Sequence, residues 1–145
     1  MAWFLLLAIV TGVALPVQAG VNNQLRGELG HPVLAATISF FVGTVALTTY
    51  TIAARLSVPA GALGRTLWWH WSGGLIGAFF VACAIILAPR LGAATLVAAV
   101  VAGQMLSSLL LDHYGLIGYT RHPIDLWRIA GAALVMAGVF LIQRH

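Results

Sequence analysis

The side chains of this sequence that are capable of chemistry are a few polar groups embedded in long apolar segments. One set consists of Gln104, Ser107, Ser108 and Asp112. Offsets of three, four and eight residues from the first member place all four on one face of a helix. Amide, hydroxyl and carboxylate groups bind solutes through hydrogen bonds. This face is therefore predicted to line a solute pathway, with the alternative that Gln104 joins two helices.

The amino-terminal region carries a second set, Gln18, Asn22 and Arg26, spaced four residues apart. This spacing again places the side chains on one helical face, and we assign them to the same predicted pathway. Asn22, Arg26 and Asp112 lie near the ends of apolar segments, where polar residues also serve as caps, surface anchors or members of a structural ion pair. Both interpretations stay open for these three residues.

Threonines on one flank of another apolar segment have a simpler interpretation. They are Thr37, Thr44 and Thr48, with Ser39 and Gly43 on a neighbouring flank. Hydroxyl groups in membrane helices commonly donate a hydrogen bond to a carbonyl of their own helix. This set is therefore predicted to serve helix packing.

The sequence lacks the catalytic signatures of enzymes. It has no HExxH or CxxC motif, no phosphate-binding loop and no glycine-rich nucleotide fingerprint. The acids Glu28, Asp112 and Asp125 all lie at the ends of apolar segments, which argues against a buried carboxylate relay. Four histidines without metal-ligand spacing are predicted to be interfacial: His70, His113, His122 and His145. We predict that the protein is not an enzyme and uses no cofactor or metal.

The amino-acid composition indicates that the apolar segments lie in a membrane. Hydrophobic residues make up 61% of the 145 residues and charged residues 7%, and lysine is absent. Soluble domains carry roughly 25% charged residues. Residues 1–25, 32–54, 66–89 and 91–111 contain no charged side chain, and each stretch reaches the length of about 20 residues that crosses a bilayer. The chain is predicted to be an integral membrane protein, and its singly scattered arginines form no basic stripe for nucleic acid.

The pattern predicts an all-α membrane protein, with residues 1–145 forming a single five-helix transmembrane domain. The first helix is expected to be retained, because no positive region precedes it as in a signal peptide. A polar turn is predicted over residues 22–31 and a tight connection over residues 89–92. The predicted helices cover residues 3–22, 32–55, 68–87, 93–111 and 126–142.

Charge gives this topology almost no directional bias. Five spans place the termini on opposite sides, and all eight Trp and Tyr residues then fall on the amino-terminal side. That side carries Arg55, Arg65, Arg121 and Arg128, and the other carries Arg26, Arg90 and Arg144. Two interpretations follow: a weak bias or a partner fixes the orientation, or the protein inserts both ways and pairs head to tail.

The sequence resembles the YdcZ family in several segments that occur in the same order. The matching residues are 20–26, 39–44, 73–78, 91–95, Gly103, Gln104, Ser108, Leu111, Asp112, Gly115, Gly118, Gly131 and Gly138. The resemblance implies a small branch of the drug/metabolite transporter superfamily, described as inner-membrane exporters. It covers nearly the whole chain but does not indicate a substrate.

The resemblance also implies an architecture. Larger relatives carry two five-helix units in one chain, the second inverted, and transporters often place a binding site between inverted repeats. A single half-unit of this fold is therefore expected to form an antiparallel dimer with a second copy or a sibling chain. Small multidrug relatives couple cation export to a carboxylate within the first helix, and this sequence has only Pro16 and Gln18 there. A neutral or anionic solute suits these side chains better.

These observations predict a multi-pass protein of the inner membrane that transports an unknown small solute as an antiparallel dimer by alternating access. The alternative is a membrane scaffold or accessory subunit that transports nothing. A scaffold would use the polar groups to hold helices together, whereas a transporter would keep them around a cavity. A passive channel is a third option, although the sequence contains no recognisable selectivity filter.

Overall fold

The computed structural model of the protein describes residues 2–144, so the prediction for His145 lies outside the described residues. Every regular element in this part of the chain is helical. Three short helical turns, at Ala62–Arg65, Trp68–Trp71 and Leu116–Gly118, lie in the connections. The five long helices are α1 (Ala2–Leu29), α2 (Pro32–Ala53), α3 (Ser72–Leu91), α4 (Ala93–Tyr114) and α5 (Leu126–Arg144).

The five predicted spans are confirmed in number. Within residues 2–144, five helical segments are long and apolar enough to cross a membrane. Their mean hydropathies range from 1.7 to 2.1. The third segment also includes the turn of three tryptophans that precedes α3. The segments are Trp3–Leu29, Pro32–Ala53, Trp68–Leu91, Ala93–Tyr114 and Leu126–Arg144.

The predicted polar turn over residues 22–31 is wrong, because α1 continues as a helix to Leu29. Leu, Gln, Arg and Glu are good helix formers, so the polar segment extends the helix instead of ending it. The chain then reverses at Gly30, whose φ of 74° lies in the left-handed region that glycine adopts easily. His31 caps α2 through its Nδ1, which accepts a hydrogen bond from the Val33 amide at 3.2 Å.

The tight connection predicted over residues 89–92 is also wrong in its extent. Pro89 lies inside α3, and only Gly92 separates α3 from α4. A proline removes its own backbone hydrogen bond, but the turns on either side can continue. At its other end α4 extends beyond the predicted residue 111 to Tyr114, so Asp112 belongs to the last turn of the helix.

The described residues form two compact units, with the boundary between Arg90 and Leu91. In the first unit α1 packs against α2. Small residues at this contact let the helix backbones approach closely, which is how helices associate in lipid. The buried core consists of Ala35, Ala36, Val81 and Ile85, and it is flanked by Leu25, Leu29, Phe80 and Ala82.

The second unit is a pair of packed helices, α4 and α5, joined by residues 115–125. Its buried residues are also small or aliphatic: Leu96, Ala102 and Ala132. Gly115 ends α4 with a φ of 64°, and its amide donates to the Leu111 carbonyl. The connection that follows holds most of the long-range polar contacts of this unit.

Candidate solute-binding residues

The polar face of α1 contains the one buried polar side chain among the described residues. Asn22 is only 4% exposed. Arg26, one turn further along the helix, is partly buried, and Gln18, one turn earlier, is exposed. The predicted spacing therefore does place these three side chains along one face of a continuous helix.

Asn22 is buried, and it has no side-chain hydrogen-bond partner among residues 2–144. The side-chain hydrogen bonds within residues 2–144 do not involve Asn22, and the Arg26 guanidinium makes none there either. No side-chain nitrogen or oxygen in this part of the chain is both fully sealed and unpartnered. The Asn22 amide is therefore deeply buried but not completely sealed.

The predicted face of α4 consists mostly of exposed residues. Gln104, Ser107 and Ser108 are all exposed, and Gln104 lies at the middle of the helix. The Ser107 hydroxyl donates to the Gln104 carbonyl at 3.1 Å, so its only donor hydrogen is used within the helix. The side chains of Gln104 and Ser108 have no such contact in the described part and are the groups of this face that can bind something else.

Asp112, the fourth member of the α4 face, is held in an ion pair. Its Oδ2 accepts a hydrogen bond from Arg128 Nη2 at 2.7 Å, and the two side chains are 25% and 31% exposed. This structural pair was one of the interpretations open for Asp112. Sequence reasoning did not identify Arg128 as its partner. The available signal was a lone acid at the end of one span and a lone arginine at the start of the next.

The ion pair belongs to a network that ties the connection to both helices. The Asp112 carbonyl accepts a hydrogen bond from the His122 amide at 2.8 Å, and the His122 carbonyl accepts one from Arg128 Nη1 at 3.0 Å. His113 Nδ1 accepts a hydrogen bond from the Ile124 amide at 3.0 Å. These residues therefore have structural roles, and the Asp112 carboxylate has less capacity for a solute than the free amides.

Two threonines of α2 bond to their own helix, as expected for hydroxyl groups in membrane helices, whereas their predicted role in helix packing stays a prediction. Thr37 and Thr44 each donate to the carbonyl four residues earlier, at 2.8 Å. A groove of about 330 Å³ lies beside Thr37, between α2 and α3. Because the hydroxyl is already bonded to its own helix, the groove is almost entirely apolar. Its lining is Val33, Ala36, Thr37, Phe40, Ala78 and Ala82.

Comparison with known proteins assigns the family. A family profile described as "Putative inner membrane exporter, YdcZ" matches residues 3–141. The chain belongs to this family. It is also 28% identical over 138 residues to "Inner membrane protein YdcZ" of Escherichia coli (strain K12), a match that covers 94% of this chain and 92% of that one. No solved structure matches the chain.

Membership in the YdcZ family confirms the resemblance seen in the sequence and agrees with the helices. A family of inner-membrane proteins and five apolar helical segments together make this chain a multi-pass inner-membrane protein. The family description is that of a transport protein and names no enzymatic reaction. Within residues 2–144, no group of three or more His, Cys, Asp or Glu side chains is arranged to hold a metal ion.

Proposed function

We propose that this protein transports a small solute across the inner membrane by alternating access, as a dimer of two copies in opposite orientations. Membership in an exporter family supports transport as the general activity. The observation that carries the dimer is the exposed Gln104 at the centre of α4. A primary amide in hydrocarbon has no hydrogen-bonding solvent, so such residues normally face protein or a water-filled cavity.

A second copy would give the Gln104 amide the polar surroundings that lipid cannot provide. Gln104 and Ser108 of one copy would face protein or an enclosed aqueous path once another copy covers α4. The near-equal arginine numbers on the two sides favour insertion in both orientations, since the positive-inside rule then prefers neither. Two inverted copies would give the inverted-repeat arrangement in which alternating access is common.

Orientation-locked variants test the dimer. Because five spans put the termini on opposite sides, three lysines inserted after Met1 and three appended after His145 should lock the protein in opposite orientations. We expect neither variant to form dimers or to support solute flux alone. Co-expression of the two should restore both a one-to-one dimer and flux. Native mass spectrometry would measure the dimer, and counterflow in vesicles with a panel of small amides, carboxylates and amines would measure flux.

The matched control is a variant that carries three glutamines at each terminus, which adds length without charge. It should dimerise and transport like the unmodified protein. If each locked variant alone is dimeric and active, the antiparallel arrangement is wrong. If co-expression restores the dimer but no solute in the panel moves in any form of the protein, the membrane scaffold becomes the better interpretation.

A role for Gln104 in transport is tested by Gln104→Ala. If the Gln104 amide contacts the solute, its removal should reduce flux by at least tenfold, because the solute group that it binds is then left without a hydrogen bond. Gln143→Ala, in the last turn of α5, is the control and should leave flux unchanged. Unchanged transport by Gln104→Ala would exclude Gln104 from the pathway.

A further inference from the structure

We infer that Asn22 and Arg26 on α1 form a binding site for an oxyanion, the carboxylate or phosphate group of a small organic anion. This inference rests on the proposed transport function, of which it would define the substrate class. Two independent observations carry it. One is the burial of Asn22 without a hydrogen-bond partner within residues 2–144, and the other is an Arg26 guanidinium that forms no ion pair in the same part of the chain.

The described residues of the chain provide no hydrogen-bond partner for the Asn22 side chain. A buried amide without a hydrogen bond is unfavourable, because it has lost its bonds to water. At 4% exposure Asn22 meets little solvent, and the side-chain hydrogen bonds within residues 2–144 do not include it. Its polar atoms are not completely sealed, so they keep some access to the surroundings. Its NH₂ group is a donor, and a donor that keeps such access is suited to a ligand that brings an acceptor oxygen.

Arg26 supplies the charge for such a ligand. It lies one turn from Asn22 on the same face, about 6 Å along the helix axis. Within residues 2–144, the ion pair of Arg128 with Asp112 is the only one, so no carboxylate neutralises Arg26. A guanidinium presents a planar fork of donors that matches a carboxylate or a phosphate. A cation would meet an uncompensated positive charge here and would be rejected.

The position of α1 in the bilayer suits an amphiphilic anion. The hydrocarbon core is about 30 Å thick, and a helix rises about 1.5 Å per residue, so a core that begins at Trp3 ends close to Asn22. Arg26 then lies at the level of the headgroups. An anion bound there would place its oxyanion group between Arg26 and Asn22 and its organic part beside Gln18.

A structural role accounts for Arg26 but not for Asn22. A basic residue in the last turn of a helix interacts favourably with the helix dipole, and Arg26 occupies that turn of α1. Arg90 occupies the equivalent turn of α3 and is exposed. The dipole therefore acts on both arginines, whereas only Arg26 lies beside a buried amide. Arg90 is for this reason the matched control.

Binding to the purified protein tests the site. We would measure benzoate binding by calorimetry in phosphatidylcholine nanodiscs, with benzylamine as the cationic counterpart of the same size. Arg26→Gln is expected to weaken benzoate binding by about tenfold or more, and Asn22→Leu by about fivefold. Arg26→Lys should retain part of the affinity because it keeps the charge. Arg90→Gln and Asn23→Leu, the matched controls, should leave binding unchanged.

A second arm separates a solute from a lipid headgroup. If phosphatidylglycerol raises the Tm of the unmodified protein but not that of Arg26→Gln, while benzoate has no effect, the oxyanion site stands and its ligand is a lipid phosphate. Three results would overturn the site. They are tighter binding of benzylamine than of benzoate, equal losses of benzoate affinity in Arg26→Gln and Arg90→Gln, and no response to either benzoate or phosphatidylglycerol. Flux of an amine or a neutral amide in that last case would leave the transport proposal intact. Benzoate binding without any flux would support the site and contradict transport.

Discussion

The two compact units of this protein hold their helices together by different contacts, apolar in the first unit and polar in the second. In the first unit, α1 and α2 are joined at residues 30–31, and apolar contacts of Leu25 and Leu29 with the Ala35–Ala36 region hold them together. In the second unit, α4 and α5 are joined by residues 115–125, and polar side chains tie that connection to both helices. A short turn leaves few geometries open, whereas a longer connection needs specific hydrogen bonds to select one.

This difference also separates structural from available polar groups. In the second unit Asp112 and Arg128 satisfy each other, so their charges serve the fold. In the first unit Asn22 and Arg26 have no such partner among the described residues, although Asn22 is buried. Polar groups that the fold does not use are the ones a solute can bind. We therefore expect substitutions to affect stability most in the apolar core of the first unit and in the polar connection of the second.

The largest expected effect is in the first unit, at Ile85. This side chain is fully buried against Ala35 and Ala36, and Ile85→Ala would leave a cavity that lipid cannot enter. We expect a loss of about 2–3 kcal/mol, the lower part of the range for such substitutions, because the unfolded helices also lie in an apolar solvent. SDS unfolding in mixed micelles measures it.

The adjacent Ile86 provides the control for this substitution, since it is 38% exposed. Ile86→Ala removes the same atoms from the same helix but should cost well under half as much. Equal losses of unfolding free energy at the two positions would mean that apolar packing does not hold the first unit together. The proposed difference between the two units would then be wrong.

The second unit should be broken most easily at its ion pair. Asp112→Asn leaves the partly buried Arg128 guanidinium without its anion, and we expect a loss of about 2 kcal/mol in the same unfolding assay. Arg128→Gln should cost a similar amount. The double variant should be less destabilised than the sum of the two, because neither residue then leaves an unpaired charge. Strict additivity would show that the pair does not act as a unit.

Much of this fold follows from the sequence, because the solvent is a bilayer. Charge-free stretches and their lengths predict the number of spans, and the small residues at the helix contacts are typical of packing in lipid. The helix ends were harder to predict. The segment around Arg26 and Glu28 is polar like a turn, but its residues favour helix, and hydropathy marks where a helix leaves the membrane, not where it stops.

The candidate site was predictable only in part. Spacing placed Asn22 and Arg26 on one face, because helical geometry is local. The burial of Asn22 depends on how α1 packs in its unit, and the pairing of Asp112 with Arg128 depends on the path of residues 115–125. Neither is encoded in a periodic pattern. The sequence therefore offers the same interpretations for Asn22 and Asp112, whereas the structure pairs Asp112 with Arg128 and shows no partner for Asn22 within residues 2–144.

The finest comparison of the two units concerns their turn glycines. Gly30 and Gly115 have similar left-handed φ values of 74° and 64°. A Cβ on Gly30 would meet no atom within 4 Å, whereas one on Gly115 would lie 3.3 Å from Arg121 Cβ and 3.5 Å from the Tyr119 carbonyl oxygen. Gly30→Ala should therefore cost only the left-handed backbone energy, about 1 kcal/mol. Gly115→Ala should cost roughly 0.5 kcal/mol more, because carbon atoms at 3.3 Å lie inside their optimal separation of about 3.5–4.0 Å.

The two alanine variants should be compared by their free energies of unfolding in the same assay. Because both carry the same left-handed backbone strain, the difference between them measures how closely Arg121 and Tyr119 pack against Gly115. Gly118→Ala, with a φ of 83° and open space around its Cβ, should behave like Gly30→Ala although it lies in the same connection as Gly115. A loss at Gly118 equal to that at Gly115 would show that the whole connection resists substitution. Equal losses at all three positions would mean that Arg121 moves aside freely, and the network around Asp112 would then be looser than its hydrogen bonds indicate.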